Sequence, residues 1–324
     1  MTPGVTIIIC TYNGRDNLGD TIANLARLSV SPEINWEIIL ADNGSTDDSS
    51  SFAKEEWEKY NLPLVGFRTI SQPKPGKFYA LQDAILAAKY EYVITCDDDN
   101  WLAPDYVTRV FSNLETMPNV GAVGGHGIPV TGGLPLPEWF KDYFVAYAVG
   151  PQGKSKGVIK KAGLLWGAGL ATRRSLYLKM YESYPTLLTQ SYKDIVFAED
   201  TEYCIRLLLK GYKLYYDNEL IYQHFIPDSK LTLEYRDGKR IREFNESKLL
   251  LRKYYAALQG YYKTKGRPDL WLYTFVSSTL RCLFFFPKKT RIKAKDTIFH
   301  MLPFWKKSNH VSTQIKLFIE EKDI

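Results

Sequence analysis

The sequence predicts an α/β protein built on a mostly parallel sheet that is flanked by helices. Short apolar runs rich in β-branched residues recur through the first half of the chain, as expected of buried parallel strands. Segments whose apolar residues have helical spacing lie between these runs, and clusters of Gly, Pro, Asn and Asp separate the two kinds of segment. Strands that alternate with helices are typical of such sheets.

The predicted strands are apolar runs that end at polar turns. Val5–Cys10 is the clearest of them, because its apolar and β-branched residues follow one another without a polar face. The others are Trp36–Ala41, Val65–Ile70, Glu91–Cys96, Val120–Gly124 and the aromatic run Tyr212–Tyr222.

The predicted helices lie between these strands. Apolar residues at helical spacing follow the first strand between Leu18 and Leu28. Ala198–Leu209 has acidic residues in its first turn and Gly211 just past its end, which favours a helix. Further helices are predicted at Ser49–Tyr60, at Phe78–Lys89 and from Pro104 onward, and after about residue 240 the pattern becomes helical and basic.

Three polar loops follow predicted strands, at Thr11–Asn17, Asp42–Asp47 and Asp97–Trp101. Ligands of open α/β sheets bind beyond the carboxyl ends of the strands. We therefore expect these loops to converge on one site.

The acidic run Asp97-Asp98-Asp99 is the strongest chemical signal. Adjacent carboxylates repel one another at the end of a buried strand unless a cation is present, and Mg²⁺ or Mn²⁺ prefers hard oxygen ligands shared with substrate phosphates. A solvated acidic turn is the alternative interpretation. The apolar strand that leads into the run and Pro104 just after it favour the metal site.

Four segments in register resemble the family 2 glycosyltransferases of the GT-A fold, which are inverting and depend on a nucleotide-sugar. The resemblance covers roughly residues 5–230. The segments are Thr6–Asn13, Leu40–Asp47, Thr95–Asn100 with Pro104, and Ala198–Glu202 with Arg206. Asn43 and Asn100 stand where the family often has other residues, and no Q-x-x-R-W motif is present, so a polymer synthase is disfavoured.

The resemblance implies a nucleotide-sugar site. Asp42 would accept from the imide N–H of uracil or thymine, although an Asx turn is the alternative for this residue. Asp98 would meet the ribose hydroxyls, and Lys77 would lie in a loop that closes on the diphosphate or is merely a solvated lysine. The implied contacts are Thr11, Tyr12, Asn13, Asp42, Lys77 and Asp98.

The resemblance also implies the metal ligands. Asp99 would bind Mn²⁺ or Mg²⁺ directly, and Asp97 would bind through water or support Asp99. His224 stands where some relatives have a further metal or phosphate ligand, but a structural histidine is an equal alternative.

On the acceptor side, the resemblance implies that Asp200 is the general base, placed against the acceptor hydroxyl. Glu199 would bind the acceptor or only stabilise the helix dipole. Trp166 and Gly167 would form the floor between the donor and acceptor sugars, with a core tryptophan beside a tight turn as the alternative.

The domain organisation follows from the same pieces. We expect a GT-A catalytic domain at residues 1–238, with a nucleotide-sugar half at about 1–125 and an acceptor half at about 126–238, and a helical extension at 239–324. In the extension, the aromatic run Trp271–Phe286 precedes a cluster of lysines and Arg291, so residues 265–310 suit an anionic membrane surface or, alternatively, pack on the domain with a solvated basic face.

The expected function is hexosyl transfer from a UDP- or dTDP-sugar to a glycan or lipid-linked glycan, in bacterial surface polysaccharide assembly. A non-catalytic sugar-nucleotide or glycan-binding protein is the alternative; a sugar-phosphate nucleotidyltransferase is less favoured, because Thr11–Gly14 replaces the glycine-rich phosphate loop that it needs. No nucleic-acid partner is expected. Since no apolar run reaches about 18 residues and the N-terminal run is short, we expect a cytoplasmic protein, peripheral on the inner face of the membrane if the extension docks there.

Overall fold

The computed structural model describes residues 2–159, 164–188, 198–243, 251–284, 286–302 and 310–322. A nine-stranded sheet has the order β3-β2-β1-β4-β8-β6-β9-β5, and β7 pairs with β9. The strands are β1 (Thr2–Thr11), β2 (Trp36–Asp42), β3 (Gly66–Ser71), β4 (Tyr90–Asp97), β5 (Asn100–Leu102), β6 (Val120–Thr131), β7 (Gly157–Val158), β8 (Ala171–Arg173) and β9 (Lys213–Ile226).

The sheet is parallel around β1 and again between β6 and β9. The short strand β8 runs antiparallel between β4 and β6 and joins these two parallel parts. The pairings of β5 and β7 with β9 are also antiparallel. The fold class expected from the sequence is confirmed, but β5, β7 and β8 were not predicted, because two or three residues are too short to show a strand pattern.

The helices cover the sheet and extend beyond it. The helix predicted to open at Pro104 begins at Tyr106 instead, because a turn precedes it. The α-helices are α1 (Arg15–Leu25), α2 (Ser49–Glu58), α3 (Lys77–Ala87), α4 (Tyr106–Thr116), α5 (Arg174–Glu182), α6 (Glu199–Leu209), α7 (Leu233–Tyr235), α8 (Arg252–Ala257), α9 (Pro268–Leu283), α10 (Lys288–Met301) and α11 (His310–Glu320). Glu138–Tyr147 and Asp228–Leu231 are 3₁₀ helices, and Arg236–Arg240 and Leu258–Tyr262 are π-helical turns.

Alternate residues of the central strands enter two separate cores. Ile7 and Ile9 of β1 pack with α1, α2 and α4 on one face, whereas Ile8 packs with α3, α5 and α6 on the other. A strand buried on both faces needs apolar residues at every position, which explains the uninterrupted apolar run that predicted β1.

The helices after residue 250 share one of these cores. Tyr254, Ile315 and Phe318 belong to the same apolar cluster as Phe78 of α3. A buried arginine also links them to α6: Arg206 is 1% exposed, donates from Nη2 to Tyr254 Oη at 2.9 Å, and lies under the ring of Phe318 at 5.2 Å. The boundary expected at residue 238 stays a prediction.

Candidate active site

The carboxyl ends of β1 and β4 open into a cavity of about 1190 Å³. Its walls come from the loops after β1, β2, β4 and β9, from the first residues of α3 and α6, and from the segments 145–148 and 164–168. Leu251 and Tyr255 contribute from the C-terminal part of the chain. Two acidic segments face this cavity: the acidic turn, Asp97–Asp99, and the acidic helix start, Glu199–Asp200.

Two threonine hydroxyl groups hold Asp98 in the acidic turn. It accepts a 2.6 Å hydrogen bond from Thr11 Oγ1, and its carbonyl oxygen accepts one of 2.7 Å from Thr21 Oγ1. Burial raises the pKa of Asp98 to about 7; the neighbouring Asp99 charge adds to this shift, and the hydrogen bond from Thr11 opposes it. A Cβ atom at Gly14 would overlap this carboxylate, so the glycine is required for the close approach.

Asp99 is buried and faces one side chain of β9 and one of the 3₁₀ helix that follows this strand. His224 Nε2 lies 3.5 Å from Asp99 Oδ1, and Lys230 Nζ lies 3.6 Å from Oδ2. Burial alone would raise the pKa of Asp99, but His224 and Lys230 outweigh it and hold the pKa of this carboxyl well below its ordinary value. The register of β5 against β9 pairs Asn100 with His224, which fixes the histidine beside the acidic turn.

Lys77 joins the two acidic segments. Its ammonium contacts the Asp97 carboxylate and lies 3.5 Å from Glu199 Oε1. Burial would lower the pKa of Lys77, but Asp97 and Glu199 together raise it well above the ordinary value. Gly76, at φ 125°, allows the sharp turn that places this lysine at the start of α3.

The acidic helix start is held by backbone groups. Asp200 Oδ2 accepts from Gly167 N at 2.7 Å, and Oδ1 accepts from Thr201 N at 2.5 Å. Ala198, at φ 69°, precedes α6 in the left-handed region, which turns the chain into the helix at this point. Burial raises the pKa of Glu199 to about 7; the Lys77 ammonium opposes this shift and the Asp200 charge adds to it.

Trp166 and Gly167 lie on the cavity wall, and Gly167 contacts the Asp200 carboxylate. The Trp166 indole N–H donates to the Tyr222 hydroxyl, and the Trp166 backbone N–H donates to Gln152 Oε1 at 2.9 Å. The carbonyl of Gly167 accepts from Thr95 Oγ1. The tryptophan is thus partly buried and fixed by hydrogen bonds while it still lines the cavity.

The predicted base-binding residues differ in position. Tyr12 lines the cavity and is 63% exposed. Asn13 and Asp42 are absent from the cavity wall of the described structure and support the loop instead: Asn13 Oδ1 accepts from Thr46 N at 2.7 Å, and Asp42 accepts from Ser45 N at 2.8 Å. The second Asp42 oxygen accepts from Ser50 Oγ at 2.7 Å. The base contacts of these two residues stay predictions.

Two site residues were missed in the sequence. Lys230 carries no motif signal, and the turn after β9 brings it to Asp99. Asn43 lines the cavity and holds the loop before Lys77, donating to Lys74 O at 2.7 Å and accepting from Gly76 N at 2.7 Å. Asn43 follows Asp42 at a position where the family often has another acid, and this position could have identified it as a site residue.

The residues around Asp99 fit a divalent ion that is shared with a substrate. Two adjacent ligands of one Mg²⁺ or Mn²⁺ ion lie roughly 3 Å apart, and Asp99 Oδ1 and His224 Nε2 are 3.5 Å apart. His224 Nδ1 is buried and has no hydrogen-bond partner in the described part of the chain. No group of three His, Cys, Asp or Glu side chains in that part could hold a metal alone, so substrate oxygens and water would complete the coordination.

Two family models match the chain. Glycosyl transferase family 2 matches residues 6–150, and Glycosyl transferase family group 2 matches residues 92–304. Both matches include the acidic turn, and the second also includes the acidic helix start.

Curated relatives match part of the chain. A poly(ribitol-phosphate) β-glucosyltransferase of Bacillus spizizenii is 28% identical over 131 residues, which are 39% of this chain and 20% of that protein. A poly-β-1,6-N-acetyl-D-glucosamine synthase of Staphylococcus aureus is 29% identical over 123 residues, 38% of this chain and 28% of that protein. The chain therefore spans only about a fifth to somewhat more than a quarter of the length of these relatives.

Solved structures match nearly the whole chain. Staphylococcus aureus TarS 1–349 in complex with UDP-GlcNAc has a TM-score of 0.55 at 14% identity, covering 92% of this chain and 90% of that one. The complex of the same protein with UDP has a TM-score of 0.54 at 15% identity, with the same coverage. At this identity the likeness shows the fold, and the GT-A fold expected from the sequence is confirmed.

Proposed function

The chain belongs to glycosyl transferase family 2, and from this premise we propose that it is an inverting hexosyltransferase that uses a UDP- or dTDP-sugar. The acceptor is a hydroxyl of a glycan or lipid-linked glycan in bacterial surface polysaccharide assembly. The main support is the position of Lys77, whose ammonium touches Asp97 and Glu199 together. The two acidic segments, predicted to serve donor and acceptor, therefore face each other across a single cavity.

Asp200 is the general base in this proposal. The N–H groups of Gly167 and Thr201 orient its carboxylate, which takes the proton from the acceptor hydroxyl as that oxygen attacks the anomeric carbon. Attack from the side opposite the leaving diphosphate inverts this carbon. Glu199 binds the acceptor, and Trp166 forms the floor beneath the sugars.

The donor half of the proposal assigns the acidic turn to the nucleotide-sugar. Mn²⁺ or Mg²⁺, when bound, would neutralise charge that develops on the leaving diphosphate. Asp99 and His224 would hold the ion directly, and Asp97 would support it through water or through Asp99. Thr11 and Tyr12 line the nucleotide part of the cavity, where Asn13 and Asp42 shape the adjoining loop.

The alternative functions are less well supported. A nucleotidyltransferase needs open backbone N–H groups after the first strand, but the N–H groups of Asn13 and Gly14 already donate to Ser45 Oγ at 2.9 Å and to Ser49 Oγ at 3.1 Å. A non-catalytic binding protein has no need of a carboxylate oriented by two N–H groups at the cavity, as Asp200 is.

A nucleotide panel tests the donor class. We expect UDP or dTDP to raise the melting temperature of the protein when Mn²⁺ or Mg²⁺ is present, and to have little effect in a chelator. GDP and ADP serve as matched controls, since they carry the same diphosphate on a purine nucleoside. Equal shifts with all four nucleotides, or equal shifts in a chelator, would contradict the pyrimidine or the metal assignment, respectively.

The membrane is the second partner in the proposal. Among the described residues, no helix is long and apolar enough to cross a bilayer. Ser278 is the one residue of α9 that is buried, and the large apolar residues exposed on α9 and just after it are Leu270, Trp271, Leu272, Tyr273, Val276, Leu280, Leu283, Phe284 and Phe286. Phe285 lies outside the described residues.

Exposed cations follow this apolar surface on α10, at Lys288, Lys289, Arg291, Lys293 and Lys295. An exposed apolar helix beside a basic cluster complements anionic lipid, and each basic residue near such a surface contributes about 1 kcal/mol. We therefore assign residues 265–310 to docking on the inner face of the membrane, as in a peripheral cytoplasmic protein; residues 303–309 of this range lie outside the described residues.

Liposome sedimentation tests this placement. The protein should sediment with vesicles that contain phosphatidylglycerol, less so at high salt, and Leu272→Glu combined with Leu283→Glu should abolish sedimentation. Leu64→Glu is the matched control, because Leu64 is exposed on the catalytic part of the chain. If the intact protein stays in the supernatant at low salt, these helices do not bind membrane.

A further inference from the structure

Lys230 occupies a position at the cavity that the proposed mechanism leaves without a role. It lies in the 3₁₀ helix that follows β9, lines the cavity, and places Nζ 3.6 Å from Asp99 Oδ2. Within the described residues, Asp99 is the only carboxylate that forms an ion pair with this lysine.

The backbone of Lys230 is held in place, whereas its side chain is partly free. Its N–H donates to Pro227 O at 2.8 Å, and its carbonyl accepts from the Tyr147 hydroxyl at 2.9 Å. The next residue, Leu231, is buried in a cluster with Phe140. The Lys230 side chain is 36% exposed, so the flexible stem can move the ammonium by several ångströms without any backbone change.

The partners of Asp99 are divided between its two oxygens. Oδ1 faces His224 and accepts from Asn100 Nδ2 at 3.2 Å, whereas Oδ2 faces Lys230. A divalent ion on Asp99 would place like charges next to each other, so Lys230 and the ion oppose one another at this carboxylate. A nucleotide diphosphate brings negative charge to the same place and offers the ammonium a new partner.

We propose that Lys230 is an exchangeable counter-ion: it pairs with Asp99 in the donor-free enzyme and with the donor diphosphate when the metal occupies the acidic turn. This inference rests on the proposed function. Its consequence is ordered loading, since the lysine weakens metal binding until the diphosphate arrives and then strengthens the ternary complex. Lys77 cannot act in this way, because it lies between Asp97 and Glu199 and therefore has carboxylate partners on both sides.

Two binding constants, measured by calorimetry, test the proposal on wild type, Lys230→Met and Lys230→Arg. Lys230→Met should bind Mn²⁺ alone about fivefold more tightly, because the competing charge is gone. The same variant should bind UDP at saturating Mn²⁺ about tenfold more weakly, because the diphosphate loses a cation. Lys230→Arg keeps the charge and should stay close to wild type in both measurements.

The affinities for Mn²⁺ and for UDP should change in opposite directions in Lys230→Met. A purely structural role of Lys230 would not produce this opposition. Lys239→Met is the matched control, because Lys239 is exposed on the neighbouring π-helical turn, and both of its constants should equal those of wild type. If both constants of Lys230→Met move in the same direction, or neither moves while the wild type binds UDP with Mn²⁺, the exchange is wrong and the proposed function stands. If the wild type binds neither UDP nor dTDP with Mn²⁺, the exchange and the proposed function are both wrong.

Discussion

The acidic turn and the acidic helix start face one cavity but are held by different kinds of group. In the acidic turn, Asp99 faces the ammonium of Lys230, whereas Lys77 lies between Asp97 and Glu199 and is shared by both segments. At the helix start, backbone N–H groups bind the Asp200 carboxylate. A lysine leaves its partner by rotation about its own bonds, whereas a backbone N–H moves only with the chain. The turn is thus suited to exchanging charges with a ligand, and the helix start to holding one carboxylate in a fixed orientation.

Asp200→Asn should give the largest effect and test the fixed side of this comparison. The amide keeps the size of the side chain but cannot accept the acceptor proton, so transfer should fall by about 10²–10⁴-fold while UDP affinity is unchanged. Turnover and UDP binding are measured on the same preparation. Asp20→Asn, the same change at an exposed position on α1, should leave both unaltered. Near-normal turnover of Asp200→Asn would move the base role elsewhere, first to Glu199.

Asp99→Asn should impair UDP binding, which Asp200→Asn leaves unchanged. It tests the exchangeable charges of the acidic turn. Removal of the charged ligand should weaken UDP binding in Mn²⁺ by about 10–100-fold and abolish the difference between Mn²⁺ and chelator. Titrations of UDP with and without Mn²⁺ measure both effects, and Asp200→Asn serves as the comparison because it should retain the metal dependence. A variant at Asp99 that keeps this dependence would show that the metal binds elsewhere.

The smallest expected effect is on the pH dependence of the protein's stability. It comes from Glu199, which is linked to the acidic turn through Lys77. Its pKa of about 7 lies above the ordinary glutamate value of 4.5, so the native state holds this proton more tightly than the unfolded chain. The resulting stabilisation is fully present below about pH 4.5 and is lost as the pH rises through about 7. In Glu199→Gln, the free energy of unfolding should decrease less with rising pH than in wild type, by on the order of 1 kcal/mol.

Urea unfolding at pH 4.5 and pH 7.5 measures this difference. Lys77 and Asp200, which act on Glu199, are unchanged in the variant, as is Asp98, so the remaining titrations largely cancel between the two proteins. Glu234→Gln, at an exposed position of α7, is the control. Parallel pH profiles for wild type and Glu199→Gln would show that burial does not perturb this carboxyl.

The central strands were predictable because burial on both faces demands apolar residues throughout. β8 was not predictable, since Ala171–Arg173 is short and its position is set by pairing with β4 and β6 on either side. The segment 125–170 that precedes it shows no periodic pattern in the sequence from which its direction could be predicted.

The same contrast holds for the site. The carboxylates of each acidic segment are adjacent in sequence, so a motif could identify them. Lys230 reaches Asp99 only through the pairing of β5 with β9 and the turn that follows, and Tyr255 reaches the cavity only through helix packing. These contacts join residues far apart in the chain, and a single sequence carries no local trace of them.

The buried Arg206 has a consequence for truncation of this enzyme. Its partner Tyr254 lies in α8, and Phe318, over its guanidinium, lies in α11, while Arg206 itself is in the helix that begins with Glu199 and Asp200. Removing the last helices would leave a buried cation without its cover and open the core beneath the helix that carries Glu199 and Asp200. The C-terminal helices are therefore not a detachable anchor. If a truncated chain lost both membrane binding and activity, damage to one shared core would explain both losses. The result would not show that the two functions are separate.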